Sequence, residues 1–289
     1  NRYDLVHLEP SYVWPVLPRT TTPVVVCEHN IEYSGYKGYV DRFPIAPFRP
    51  FLMIDVTKLM WWERKVWHNA RRVITVSNED REIIAKSIGK DKIDVVPNGV
   101  DLKEFVFKQK KVNDHPIFLF VGNFSWLQNS DAVKFLIQDI WPLLSVRYPR
   151  ARLRIVGRGA SSGVRAMIRG SAKLFDGVSD ITTEYSNADI LIAPIRLGSG
   201  SRYKILEAMA SGLPVITTSA GAAGLGTESG RDLMMAEAPE DFVFATEKLM
   251  SDQRLRGEIA KSARKRIEAS FSWEIIADKL DNVWKQVKK

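Results

Sequence analysis

Arg202 and Lys204 stand two residues apart in the stretch RLGSGSRYKILEAMASGLPVI (196–216), and Glu207 follows one helical turn later. The stretch reads as a loop, a short helix and the start of a strand, with Ser201 as a possible N-cap, Gly212 just past the end and Pro214 blocking continuation. A helix N-terminus exposes unpaired N–H groups and the positive end of the macrodipole, so acidic residues stabilise the first turn and basic ones do not. Two cations there call for compensation, and a bound phosphate supplies it. Gly198 and Gly200, either side of Ser199, would let backbone N–H groups approach an oxyanion closely. Lys204 and Glu207, three apart, share a helix face while Ile205, Leu206 and Met209 turn inward. The alternative is an ordinary surface Lys–Glu pair.

Other chemistries find little in the sequence. The four histidines, His7, His29, His68 and His115, contain no i, i+4 pair, which gives a zinc site almost no support. No two Asp residues are two apart, so the Asp-x-Asp arrangement that holds a divalent ion is missing and metal-independent chemistry is favoured. There is no G-x-S-x-G elbow and no Walker G-x-x-x-x-G-K-[ST]. Two glycine-rich passages, GRGASSG from Gly157 and GLGTESG from Gly224, lack the dinucleotide spacing and read as turns. The single Cys27, inside the apolar run PVVVC, rules out an internal disulfide and fits a reducing compartment.

The elements that must carry these residues follow from hydrophobic patterning. Short β-branched runs (YDLVHL, PVVVCEH, RRVITVS, KIDVVP, then PIFLFVG, ARLRIVG, DILIAP, PVITT) alternate with helical patterns. Such near-continuous apolar strands between helices imply an α/β fold with parallel sheets covered on both faces. At 289 residues the chain exceeds what one core usually serves. The polar, lysine-rich passage at 102–115 supplies a boundary. The expected organisation is a Rossmann-like domain at 1–108, a linker at 109–115 and a second Rossmann-like domain at 116–270. A helix at 271–289, capped by Ser272, would carry Trp273, Ile276, Ala277, Leu280, Trp284 and Val287 on one face and return to the first domain. A second amphipathic helix is expected from about Met53 to Ala70. The chain opens without Met, and four strands are thin for a doubly wound domain, so the first domain is expected to be incomplete.

A formal net charge of +8 favours anionic partners. The basic residues are spread over many helices rather than packed in one tract, so no nucleic acid is expected. No apolar run is long enough to span a bilayer. The passage YSGYKGYVDRFPIAPFRPFLM mixes aromatics with Lys37, Arg42 and Arg49; it reads as a long loop packed on the first domain, or as a surface that meets anionic lipid.

The stretch GSGSRYKILEAMASGLPVI resembles the donor-binding signature of glycosyltransferase family 4, retaining enzymes of the GT-B fold, in its G-S-G-x-R-x-K-x-x-E form. VVVCEHN, VITVSNED, DVVPNGVD, FVGNFSWLQNSDAVKFL, LRIVGRG, YSNADILIAPIRLGSG and FSWE match in order, across nearly the whole chain. The resemblance implies two Rossmann-like domains facing a cleft and a metal-independent retaining hexosyltransferase. No cofactor is implied beyond a nucleoside-diphosphate sugar as donor. Arg202 and Lys204 would hold the diphosphate, and Glu207 would accept from the ribose hydroxyls. Gly198, Ser199, Gly200, Ser201, Gly122 and Asn123 would line the donor. The loops carrying Gly157 and Arg158, and Gly177, Val178 and Asp180, would border the base. His29 would face the sugar.

Two departures matter. Ser199 stands where many members carry an acidic residue that contacts the sugar, and Asn123 and Asn129 stand where many carry Arg and Lys. The implied acceptor is a glycan, a lipid-linked sugar or a small molecule, and the implied location is cytoplasmic, at the inner face of the cell membrane where a lipid acceptor is used. The rival classes are another GT-B-like enzyme, such as a nucleotide-sugar epimerase or sugar-phosphate synthase, and a non-catalytic anion- or nucleotide-binding protein.

Overall fold

The computed structural model describes residues 3–41, 43–109, 111, 113–197 and 202–288. Its strands form two wholly parallel sheets. The first holds β1 (Val6–Leu8), β2 (Val24–Glu28), β3 (Arg72–Thr75) and β4 (Ile93–Val95) in sequential order. The second holds β5 (Ile117–Val121), β6 (Arg152–Gly157), β7 (Ala172–Asp176), β8 (Ile190–Ala193), β9 (Val215–Thr217) and β10 (Met234–Met235) in the order β10-β9-β8-β5-β6-β7. In the second sheet the chain starts at β5, runs outward to β7, then returns to β8 on the other side. That reversal opens a crevice beyond the carboxyl ends of β5 and β8, where α/β sheets bind ligands.

The helices of the first domain are α1 (Glu32–Asp41), α2 (Arg49–Asn69) and α3 (Asn78–Ile88). Those of the second are α4 (Leu127–Phe135), continued through a π-helical turn into α5 (Trp141–Arg147), then α6 (Ser162–Met167), α7 (Ile181–Asn187), α8 (Tyr203–Ala210), α9 (Ser219–Ala222), α10 (Pro239–Ser251) and α11 (Gln253–Ser270). The last helix, α12 (Trp273–Val287), begins at a Ser272 side chain that accepts from the Ile275 N–H. It packs Ile276, Val283 and Val287 onto Val25, Cys27, Ile74 and Val96 of the first sheet.

The chain therefore crosses between domains twice, and the crossings are tied together by the Val100 N–H, which donates to the Phe271 carbonyl at 2.8 Å. Val100 and Phe105 already belong to the core of the second domain, so the crossing begins well before 109. Arg264 fixes it further by donating to the carbonyls of Phe105 and Ala210.

Several expectations are corrected. The passage read as a long loop contains α1, and α2 begins at Arg49 rather than Met53 because Pro50 suits the first helical turn. On α12 the buried row is Ile276, Val283 and Val287. Trp273 is 45% exposed, Trp284 turns to the flank of the row, and Val283, absent from the expected face, completes it. Strands β7 and β10 were not expected: β7 alternates in burial at a sheet edge, and β10 has two residues.

Two buried carboxylates hold the turn after β2. Glu28 accepts from the Trp67 indole N–H at 2.7 Å and the Ser11 N–H at 3.4 Å. Glu63 of α2 accepts from the N–H groups of Glu32 and Tyr33, at 2.9 and 3.0 Å, where α1 starts. Burial pushes both carboxyls up to about 7, against the pull of these donors. Residues 29–31 are thus pinned on either side.

Candidate active site

The carboxyl ends of β5, β6 and β7 place Gly122, Asn123, Gly157, Arg158, Gly177 and Val178 along one wall of a cavity of about 710 Å³. Arg202, Lys204 and Glu207 reach it from the start of α8, and His29, Asn30 and Asn98 close it from the first domain. That volume suits a ligand of nucleotide-sugar size. Small residues are needed where β5 and β6 converge. A Cβ on Gly157 would lie 1.7 Å from the Gly122 carbonyl oxygen, and one on Gly122 would lie 2.9 Å from Asn129 Cγ.

The cations sit deep. Arg202, 8% exposed, occupies the N-cap position before α8, one residue later than the Ser201 offered by the sequence and with no side-chain cap bond, and its Nη2 donates to the Leu197 carbonyl at 3.3 Å. Burial brings its guanidinium down to about 10, opposed by the attraction of Asp80 from the first domain. Lys204 Nζ donates to Asn129 Oδ1 and lies 4.8 Å over the Phe120 ring. Asn129 is fixed in turn, because its amide donates to the Asn123 carbonyl at 2.9 Å. Burial first and repulsion from Arg202 second bring the Lys204 ammonium down to about 7, against the opposing pull of Glu207. Glu207 accepts from the Tyr185 hydroxyl at 2.7 Å, and burial raises its carboxyl. A cation held at such a disadvantage gains most when an anion arrives, and the fold has placed two of them side by side.

Of the residues given a site role in the sequence, ten line this cavity: His29, Gly122, Asn123, Gly157, Arg158, Gly177, Val178, Arg202, Lys204 and Glu207; Asn129, named there as a departure, lines it as well. Asp180 does not. Its carboxylate caps α7, accepting from the Thr182 N–H at 2.8 Å and from the hydroxyls of Thr182 and Thr183, which hold it down to about 2. Gly198, Ser199, Gly200 and Ser201 lie outside the described residues. The sequence reading missed Asn30, Asn98, Trp126, Gln128 and Tyr203, all of which line the cavity. Asn98 and Asn30 follow strands of the first sheet, a position that marks candidates without naming them.

A second cavity of about 540 Å³ adjoins the first and shares His29, Asn30, Trp126 and Gln128 with it. Its walls include Tyr12, Tyr36 and Leu59 of the first domain. His29 stands at the junction of the two.

A family model for glycosyl transferases group 1 matches residues 115–252, and one for glycosyltransferase family 4 matches residues 1–104. A relative described as an uncharacterized 44.6 kDa protein in the cps region of Klebsiella pneumoniae is 26% identical over 287 residues, covering 94% of this chain and 71% of that protein. Sucrose-phosphate synthase from Thermosynechococcus elongatus has a similar structure, with a TM-score of 0.79 at 19% identity, over 99% of this chain and 74% of that one. Anabaena Alr3699/HepE in complex with UDP and glucose gives a TM-score of 0.75 at 16% identity, over 98% and 78%. At such identities the solved structures establish a shared fold. The chain spans 57–71% of the length of the first curated relatives it matches.

The depressed Lys204 ammonium makes anion binding proton-linked. Free Lys204 loses its proton as pH rises through about 7, whereas a diphosphate beside it favours the charged form. Binding of a nucleoside diphosphate at alkaline pH is expected to take up a proton, and its affinity to weaken as pH rises above about 7, by up to about tenfold per pH unit. Calorimetry in buffers of different ionisation enthalpy reads the uptake. The Lys204→Met variant carries the same ligand protons and is expected to lose it; equal uptake in both proteins would contradict the assignment.

Proposed function

We propose that this chain, a GT-B glycosyltransferase by its two matched domains and its architecture, moves a hexose from a nucleoside-diphosphate sugar to a glycan or lipid-linked acceptor with retention of anomeric configuration. One observation carries the reading: Arg202 and Lys204 line one cavity together with His29 of the first domain. The diphosphate lies against the two cations. The base lies towards the glycine loops after β6 and β7, and the ribose hydroxyls donate to Glu207.

Breaking the bond between sugar and diphosphate builds negative charge on the outer phosphate as the anomeric carbon becomes oxocarbenium-like. Each cation at close contact contributes on the order of 4 kcal/mol of attraction at an effective dielectric near 20, before desolvation is subtracted. Burial has already removed much of the water from Arg202 and Lys204, so the leaving group meets charge that needs little reorganisation. Glu207 is the one carboxylate among the described residues that line the larger cavity, and its Oε2 accepts from the Tyr185 hydroxyl, which supports its part as the ribose acceptor. The proposed mechanism assigns no protein nucleophile. The departing phosphate takes the proton of the acceptor hydroxyl on the face it leaves, which retains the configuration, and no metal is assigned a part. The acceptor occupies the adjoining cavity, whose lining includes the aromatic residues Tyr12, Tyr36 and Trp126.

The outer side of α2 favours an acceptor held at a membrane. Phe51, Ile54 and Trp61 are 68%, 53% and 61% exposed, and Lys65 lies 5.0 Å over the Trp61 ring, while Leu59 of the same helix lines the acceptor cavity. Apolar rings beside lysines on one helix suit an anionic lipid surface. Among the described residues no helix is long and apolar enough to cross a membrane.

Replacing Lys204 or Arg202 by Ala is expected to lower kcat by about 10²-fold to 10³-fold, because the phosphate contact strengthens as charge develops. Steady-state assays with a radiolabelled donor sugar check this, and turnover equal to the parent would contradict it. Separately, the protein is expected to sediment with anionic vesicles at low salt, and Phe51→Ser with Trp61→Ser to abolish this. Equal sedimentation of both proteins would remove the membrane role.

A further inference from the structure

His7, Glu9 and Cys27 bring their polar atoms within 4.8 Å of one another at the carboxyl end of the first sheet, and Glu9 also reaches His29. The absence of an i, i+4 histidine pair gave no sign of this grouping. It arises because β1 and β2 are parallel neighbours with His7 opposite Val25, so that Glu9, just past β1, comes beside Cys27, two residues on from Val25 in β2. A histidine, a carboxylate and a thiol so close could be read as a zinc site. The hydrogen bonds point elsewhere.

Trp284 of α12 donates its indole N–H to His7 Nδ1 at 3.0 Å, with the two rings edge to face at 5.6 Å. An indole nitrogen can only donate, so His7 Nδ1 must be the acceptor and its proton must sit on Nε2. That nitrogen lies 3.0 Å from Glu9 Oε1 and donates to it. A protonated Nε2 has no lone pair for a metal ion. The other carboxylate oxygen, Glu9 Oε2, lies 3.6 Å from His29 Nε2. One chain of contacts thus runs from Trp284 through His7 and Glu9 to His29, at the junction of the two cavities.

We propose that Glu9 is a positioning residue for His29, itself held in place by His7, whose tautomer Trp284 sets. Glu9 follows its strand in a bend and is half exposed, so without His7 its side chain would sample several rotamers. One oxygen anchored by His7 leaves the other directed at His29. A carboxylate beside an imidazole fixes the ring's orientation and stabilises any positive charge that forms on it. The C-terminal helix, by returning to the first domain, thereby contributes to the reacting end of the cleft. This inference rests on the reading that His29 works beside the transferred sugar.

The test combines kinetics with a spectroscopic readout. In Glu9→Gln the amide oxygen still accepts from His7, so the fold is kept while the negative charge facing His29 is lost. The kcat for transfer is expected to fall about 10-fold to 100-fold with the KM for donor unchanged. Long-range ¹H–¹⁵N spectra of the parent are expected to show His7 as the Nε2–H tautomer. Trp284→Phe, which keeps a ring against His7 but removes the donor, is expected to populate both tautomers and to lower kcat in the same sense.

His29→Ala separates the two readings. If it transfers sugar at the parent rate, the role of His29 fails and this inference falls with it. If it is impaired while Glu9→Gln is not, the inference alone is overturned. Stoichiometric zinc bound through His7, Glu9 and Cys27, or a loss of kcat in Glu9→Gln matched by an equal rise in donor KM, would also overturn it.

Discussion

The structure depends on an unfavourable placement: two cations held together in a cleft that has taken water away from them. Arg202 is almost wholly buried, and Lys204, next to it on the same turn, is pushed down to about 7 by burial first and by Arg202 second. Asp80 offsets this in part at Arg202, and Glu207 does so at Lys204. Such a pair persists because the surrounding contacts over-determine it. Asn129 grips the Lys204 ammonium, Phe120 lies beneath it, and the Leu197 carbonyl accepts from Arg202. A strained charge arrangement fixed from several sides is a device for binding the opposite charge.

The fold supplies this placement through parallel strands. Residues that follow parallel strands all emerge on the same side, so six connections of the two sheets converge on one crevice without any being adjacent in sequence. The reversal of strand order at β5 makes room for a ligand there. The glycines after β5 and β6 then let backbone approach backbone more closely than any side chain would permit. On the opposite side, Glu28 and Glu63 clamp the turn carrying His29, and α12 braces the first sheet beneath it. The double crossing of the chain, tied at Val100 and Phe271, anchors each domain to the other at the end where α12 begins.

Much of this was legible in the residues because it is local. The R-x-K-x-x-E spacing of Arg202, Lys204 and Glu207 places all three at the start of one short helix, and parallel apolar strands announce themselves by composition. What was hidden depends on contacts distant in sequence. Asn129 stands 75 residues from the lysine it holds, and Trp284 stands 277 residues from His7. Neither is visible to any periodicity. Asp180 is a different case: its role as a helix cap was readable from the two threonines that follow Ile181, and the resemblance to a base-binding loop obscured it. The tyrosines and glycines of α1 are weak helix formers, which explains why a helix stood where a loop was expected.

The central claim is that the buried pair grips a pyrophosphate. Calorimetric titration of UDP, GDP and ADP, each beside its own monophosphate and nucleoside, measures that grip with no chemistry involved. For the base the cavity accepts, the diphosphate is expected to bind at least about tenfold more tightly than the monophosphate, a difference of about 1.4 kcal/mol, and Lys204→Ala to close the gap. Equal affinity for diphosphate and monophosphate in the parent protein, or a gap that survives in the variant, would contradict the account.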